Sequence, residues 1–273
     1  MFIQQIGLVS ETKAVDVSAV ATVAAALQRQ VARDFAPIWG VNATVDGFPK
    51  LEDVPPGYWP IVIMDDIGFD AAGIHLDQNG QPFALVQTSD SWSLTASHEA
   101  LEMLADPFGN RLVPAQSIMP GQGRVEYLVE VCDPSEDEQF AYTSNGILVS
   151  DFYTPHYFDP VQNCGVVYSF TGAITEPRQV LPGGYLSWHD PVTDHWFQGI
   201  FFGQELEFRD LGVFSGSSSL RAWIDHVTKA PRHDRSSERA VLTSASNRRR
   251  GVEESAVRQS ERLREQIRAL KNS

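Results

Sequence analysis

Cysteine is nearly absent: Cys132 and Cys164 are the only two among 273 residues. Two thiols exclude a disulfide framework and a four-cysteine zinc site, and they leave two free buried thiols as the expectation. No run approaches the roughly 18 uninterrupted apolar residues of a membrane-spanning helix. The opening MFIQQIGLVSETK has neither a basic start nor a long apolar stretch, so no secretory leader is expected and the reading is cytoplasmic. A Gly-x-x-x-x-Gly-Lys-Ser/Thr phosphate loop, a Gly-x-Gly-x-x-Gly dinucleotide turn and a Gly-x-Ser-x-Gly elbow are all missing. Positive charge is scarce over most of the chain. Residues 1–228 hold 9 basic against 29 acidic side chains, and residues 51–160 hold only Arg111 and Arg124 against 18 acidic ones. Nucleic acid is therefore an unlikely partner, and the middle of the chain is better suited to collecting cations.

Hydrophobic content of 42% with 21% charged residues suffices for a real buried core. Phe2–Val9 reads as a first strand. Val17, Val20, Val23, Ala24, Leu27, Val31 and Phe35 recur at steps of three and four, which predicts one amphipathic helix from Ala14 to Phe35, ended by Pro37 and Gly40. Strands are expected at Asn42–Phe48 and Trp59–Met64. A hairpin is expected with arms at Gly73–Leu76 and Phe83–Val86, turning at Asp77–Gly80, and then a helix from Leu94 to Ala105 stopped by Asp106-Pro107. Beyond residue 110 the pattern is short strands and turns. The run Ser215-Gly216-Ser217-Ser218-Ser219 suggests the end of the packed domain, with helical stretches at about 219–229 and 252–271 after it. The class is α+β.

The chemistry concentrates on Ser97-His98-Glu99-Ala100-Leu101-Glu102. His98 and Glu102 are four apart, so an imidazole and a carboxylate leave the same helix face and can meet one metal ion. Glu99 is rotated by about 100°, beside such an ion rather than on it, where a general base belongs. Asp106 could turn back as a further ligand or orient one. Glu126–Cys132 reads as a strand with Glu126, Leu128, Glu130 and Cys132 on one face. Glu130 interrupts an apolar context, which a metal would relieve, so Glu130 is the expected third ligand and Asp133 the runner-up; the alternative is that Glu130 faces solvent or meets an arginine. His75, in the hairpin, and His156, among aromatics, are candidates for substrate or oxyanion contact; a packed histidine is the plainer alternative for each. His189 and His195 flank an Asp-Pro turn, whose chemistry explains them as well as a metal would.

The helix resembles the active-site helix of the zincin metallopeptidases, whose signature is His-Glu-x-x-His, with Glu102 in place of the second histidine. The preceding order of elements is also similar to the zincin N-terminal half, in which a sheet edge lies over the cleft beside that helix. The resemblance implies a zincin-like twisted mixed sheet with two packed helices in residues 1–110, within a metal-binding domain of residues 1–214. Residues 111–214 would form its β-rich half, and 215–273 a polar linker with a basic helical tail. It implies a zinc peptidase acting on a peptide or protein, with Mn²⁺ or Ca²⁺ admitted because a second carboxylate hardens the site. The alternative is a catalytically inactive zincin-like binding or assembly protein with a structural cation. Residues 229–273 carry a net charge of +6 beside a body at −20, which suggests an acidic protein partner or self-association through the tail.

Overall fold

The computed structural model describes residues 3–69, 71–216 and 219–228. The second helical stretch of the tail, at about 252–271, lies outside them.

Asp16 opens helix α1 (Val17–Arg29), its carboxylate accepting from the Ala19 N–H at 2.8 Å. The expected single helix to Phe35 is instead α1 followed by a π-helical segment, Gln30–Phe35, and a last short helix α2 (Ala36–Trp39), ended by Gly40 at φ +70°. Leu27, Val31 and Phe35 remain fully buried through the change of winding, so the apolar stripe persists while the hydrogen-bond register does not.

Around these helices β1 (Gln4–Ser10), β2 (Ala43–Phe48), β3 (Trp59–Met64), β4 (Gly73–Gln78) and β5 (Gln81–Gln87) form one sheet in the order β2-β1-β3-β5-β4. All neighbours are parallel except β4, which runs antiparallel to β5 at the edge. Asn79 and Gly80, both at positive φ, make the two-residue turn that such a hairpin requires. One face, with Ile6, Leu8, Ile61, Ile63, Ala84 and Val86, packs into a common core with α1 and with α3 (Trp92–Ala105). The other face, with Val9, Val62, Ile74 and Leu85, is covered by Phe48, Leu51 and Val54. Runs apolar on both faces are what parallel strands need, which is why Trp59–Met64 reads as continuous rather than alternating.

The second half is antiparallel. Strands β6 (Leu112–Gln116) and β7 (Arg124–Leu128) precede the small hairpin β8 (Tyr142–Ser144) and β9 (Ile147–Val149). Strands β10 (Tyr185–Asp190), β11 (His195–Ile200) and β12 (Glu207–Gly212) complete the order β12-β11-β10-β7-β6. The molecule is thus α+β. β7 stops at Leu128, four residues short of the expected Glu126–Cys132 strand. From Val129 onward the chain is held by irregular bonds instead: Val129 N–H to Arg111 O at 2.9 Å, and Tyr153 N–H to Val131 O at 2.8 Å. Helix α4 (Leu220–Val227) lies in the segment assigned above to linker and tail, yet Ile224 is fully buried in a small cluster with Leu128 and Trp196. The packed structure therefore runs past residue 214. Among the described residues no helix is long and apolar enough to cross a membrane.

Candidate metal centre

Helix α3 is fixed at its middle before it presents any chemistry. Ser97 Oγ donates to Gln30 Oε1 at 2.8 Å and accepts from Ser150 N–H at 2.9 Å, while Gln30 Nε2 donates to Ser150 O at 2.9 Å. All three residues are buried, so this closed ring of bonds ties α3 to the π-helical segment and to the strand β9 connection.

One residue later His98 begins the cluster. Its Nε2 lies 3.2 Å from Glu102 Oε2 and 3.2 Å from Asp133 Oδ1. The other Glu102 oxygen accepts from Cys132 N–H at 3.2 Å, so the irregular chain after β7 docks directly on α3. His75, on edge strand β4, brings Nδ1 to 3.5 Å from Glu99 Oε2 and 3.6 Å from Glu102 Oε2. From α4, Arg221 Nη1 reaches Asp133 Oδ2 at 3.1 Å and Glu130 Oε1 at 3.2 Å, and Nη2 donates to Tyr185 Oη at 2.8 Å. Glu102 is the hub of the assembly. It can offer a ligand atom together with His98 and Cys132, with His75 and Glu99, or with Glu130 and Asp133.

The centre is deeply sequestered: Glu102 is fully buried, and even the His98 side chain is only 12% exposed. Burial alone would lower the His98 pKa, but Glu102, Cys132 and Asp133 around it reverse that and raise it well above the ordinary range. For Glu102 burial pushes upward, and the His98 charge, helped by Arg221, overrides it and holds the carboxyl well below its usual value. Glu130 goes the other way. Burial raises its pKa strongly, Arg221 only partly opposes this, and Glu102 and Asp133 add to the rise. Burial likewise pushes the Cys132 thiol upward.

Several buried polar atoms here have no hydrogen-bond partner: both His75 nitrogens, Glu102 Oε2, both Glu130 oxygens and Asp133 Oδ1. Four of them, His75 Nδ1, Glu102 Oε2, Asp133 Oδ1 and Glu130 Oε1, sit within ion-pair distance of a neighbour without the alignment of a hydrogen bond; His75 Nε2 and Glu130 Oε2 do not. Orphaned acceptors at this density are costly in a protein interior. The two 3.2 Å separations around His98 are ion-pair distances, and His98 also groups with Glu102 and Cys132, or with Asp133 and Glu136, in sets that could hold a cation. The donor set fits a divalent cation.

Of the residues singled out from sequence, His98, Glu99, Glu102, Glu130, Asp133 and His75 come together. Asp133, the runner-up, meets His98, whereas Glu130 meets Arg221. Glu130 is not a mid-strand residue, since β7 has already ended. Asp106 closes the end of α3 by accepting from Arg111 N–H at 2.7 Å, and burial raises its pKa. His156 is 59% exposed and paired with Asp159 at 2.9 Å rather than with the cluster. His189 pairs with Glu126 and Asp194, and His195 with Asp210, around the β10–β11 turn. Cys132 is buried and Cys164 exposed, both as free thiols. Glu130 meets an arginine, the alternative to a metal given above, and that arginine is Arg221; the Gln30–Ser97–Ser150 ring was not anticipated. The available signal for Arg221 was its place three residues before Ile224, on the apolar side of a short helix. Comparison of the chain with family models, with curated proteins and with solved structures returned no match.

Proposed function

We propose that this protein is a metal-dependent hydrolase of zincin type, acting on peptide bonds, with one divalent cation held by His98, Glu102 and Asp133. The observation that carries the reading is the pair Glu102 Oε2 and Asp133 Oδ1. Both are buried and both lie 3.2 Å from the same imidazole nitrogen, which pairs with them when protonated and would ligate an ion beside them when neutral. Further support comes from the order strand, helix, four strands of which the last two form an antiparallel edge hairpin, then helix α3, which is similar to the order the zincin resemblance implies.

A bound divalent ion would supply Lewis-acid polarisation and a more acidic water. The chain supplies the rest. Arg221 holds Asp133 by Oδ2, leaving Oδ1 as a one-oxygen ligand toward His98. Cys132 N–H fixes Glu102 by Oε1, leaving Oε2 free for the ion. Glu99, adjacent on α3 to the His98 ligand, accepts a proton from water on its carboxylate and returns it to the leaving amine. The substrate class favoured by the acidic body is neutral or cationic peptide.

The near-complete burial of Glu99, at 4% exposure, favours a second reading, in which the cation is structural and the protein binds rather than cleaves. Elemental analysis of the purified chain, with activity on a fluorescent casein, separates the two. One ion with metal-dependent cleavage supports the hydrolase; one ion without cleavage supports the structural site. Full metal occupancy in a His98→Ala/Glu102→Ala double variant would remove the centre from both readings.

A further inference from the structure

Glu102 and Asp133 face His98 with one oxygen each, and together with Glu130 they also make a second, all-carboxylate grouping. In that grouping, Glu102, Glu130 and Asp133 each offer a carboxylate oxygen, and these atoms lie within 4.8 Å of one another. Glu130 is 2% exposed and both of its oxygens lack a hydrogen-bond partner. Three buried carboxylates converging this closely can supply the protein share of a cation position, since a hard divalent ion is bound through a few carboxylates with water or carbonyl oxygens filling the rest of its shell. That position is not left to solvent. Arg221 Nη1 stands 3.1 Å from Asp133 Oδ2 and 3.2 Å from Glu130 Oε1, Nη2 donates to Tyr185 Oη, and the guanidinium carbon lies 5.9 Å from the Tyr185 ring centroid.

We propose that Arg221 is a built-in cation: delivered by α4, its guanidinium occupies a second cation position between Glu130 and Asp133, so that the centre takes one divalent ion where its carboxylates would hold two. The inference rests on the metal centre proposed above. Arginine suits the role because it keeps its charge at any pH a protein survives, and its fork engages two carboxylates and a hydroxyl at once. Asp133 records the division: Oδ1 faces His98 and Oδ2 faces Arg221. The anchor that delivers the charge is Ile224, three residues on and fully buried against Leu128 and Trp196, in a cluster separate from the main core. Arg221 is thus a positioning residue that sets the number of ions.

Equilibrium dialysis of the full chain against Mn²⁺, read together with the electron paramagnetic resonance of the bound ion, tests this. Wild type is expected to bind one Mn²⁺ with an isolated-ion spectrum. Arg221→Ala is expected to bind two with a spin-coupled spectrum, and Arg221→Lys, which keeps the charge, to bind one. Adding Glu130→Gln to Arg221→Ala should return the count to one. Should Arg221→Ala not fold, Arg221→Gln keeps the stem and is expected to give the same count of two. One ion in wild type and in both uncharged variants overturns the inference but leaves the centre standing. Two ions in wild type also overturn it. No ion in any variant overturns the centre itself.

Discussion

Gly73 opens edge strand β4 directly over helix α3, and Gly73→Ala should loosen that contact measurably. Its backbone is not in the positive-φ region, so alanine can adopt the conformation and the penalty is purely steric. An added Cβ would collide with the Glu99 carboxylate, lie 2.5 Å from Thr95 Cγ2 and 3.0 Å from Glu99 Cδ. Overpacking of this kind costs about 1–3 kcal/mol. Replacing glycine in a strand returns about 0.5–1 kcal/mol. The net loss should be about 1–2 kcal/mol, with a fall in Tm of roughly 2–8 °C for a domain of this size. Gly123→Ala is the control, because a Cβ there meets nothing within 4 Å and φ is again not positive; it should be neutral or slightly stabilising. Differential scanning calorimetry of both variants measures the contrast. In a Gly73→Ala/Glu99→Ala double variant the penalties should be less than additive, since the colliding carboxylate is gone. If Gly73→Ala melts with Gly123→Ala, β4 does not press on α3, and the placement of His75 beside Glu99 and Glu102 falls with it.

Metal-free protein should be most stable near pH 4.5: the lowered Glu102 pKa gives stability that is lost as pH falls below its ordinary 4.5, and the raised His98 pKa gives stability lost as pH rises beyond its ordinary 6.5. The raised Glu130 pKa adds a loss that begins as pH climbs above 4.5, and urea titrations across pH 4–8 would contradict this if stability of the metal-free chain kept increasing to pH 8. Glu99→Gln should keep its metal and lose roughly 10²-fold or more in turnover; equal cleavage by wild type and variant would assign the activity to a contaminant. Asp133→Asn should weaken metal binding more than Glu130→Gln, because Asp133 faces His98 and Glu130 faces Arg221; the reverse order in competition with a chromophoric chelator would exchange their roles. Gln30→Leu leaves the Ser97 hydroxyl proton without its acceptor and Ser150 O without its donor, and should cost about 1–3 kcal/mol in urea unfolding, whereas a change within about 0.5 kcal/mol would show that the ring is not closed in solution.

What could be read ahead of the structure depended on whether the signal was local. The hairpin turn at Asn79-Gly80, the α1 stripe and the four-residue spacing of His98 and Glu102 are all fixed by neighbours within a turn or two, and the structure has each of them. The winding change at Gln30 was invisible because a π-helical segment preserves the apolar stripe and alters only which carbonyl each N–H reaches. Glu126–Cys132 read as one strand because alternation cannot register that its pairing ends; beyond Leu128 the partners are Arg111, Glu102 and Tyr153, all distant in sequence. The choice between Glu130 and Asp133 turned on Arg221, 88 residues past Asp133, and no periodicity links residues so far apart.

That separation has a consequence for biosynthesis. His98, Glu102 and Asp133 leave the ribosome within 36 residues of one another, and the first sheet and helix α3 are complete by residue 105. Arg221 follows only after another 88 residues. A chain that folds as it emerges therefore holds Glu130 and Asp133 side by side with no guanidinium between them, for roughly 4–18 s at ordinary elongation rates of about 5–20 residues per second. During that interval the nascent centre is at its most acidic, and ions from the surrounding solution meet it before the chain's own cation arrives.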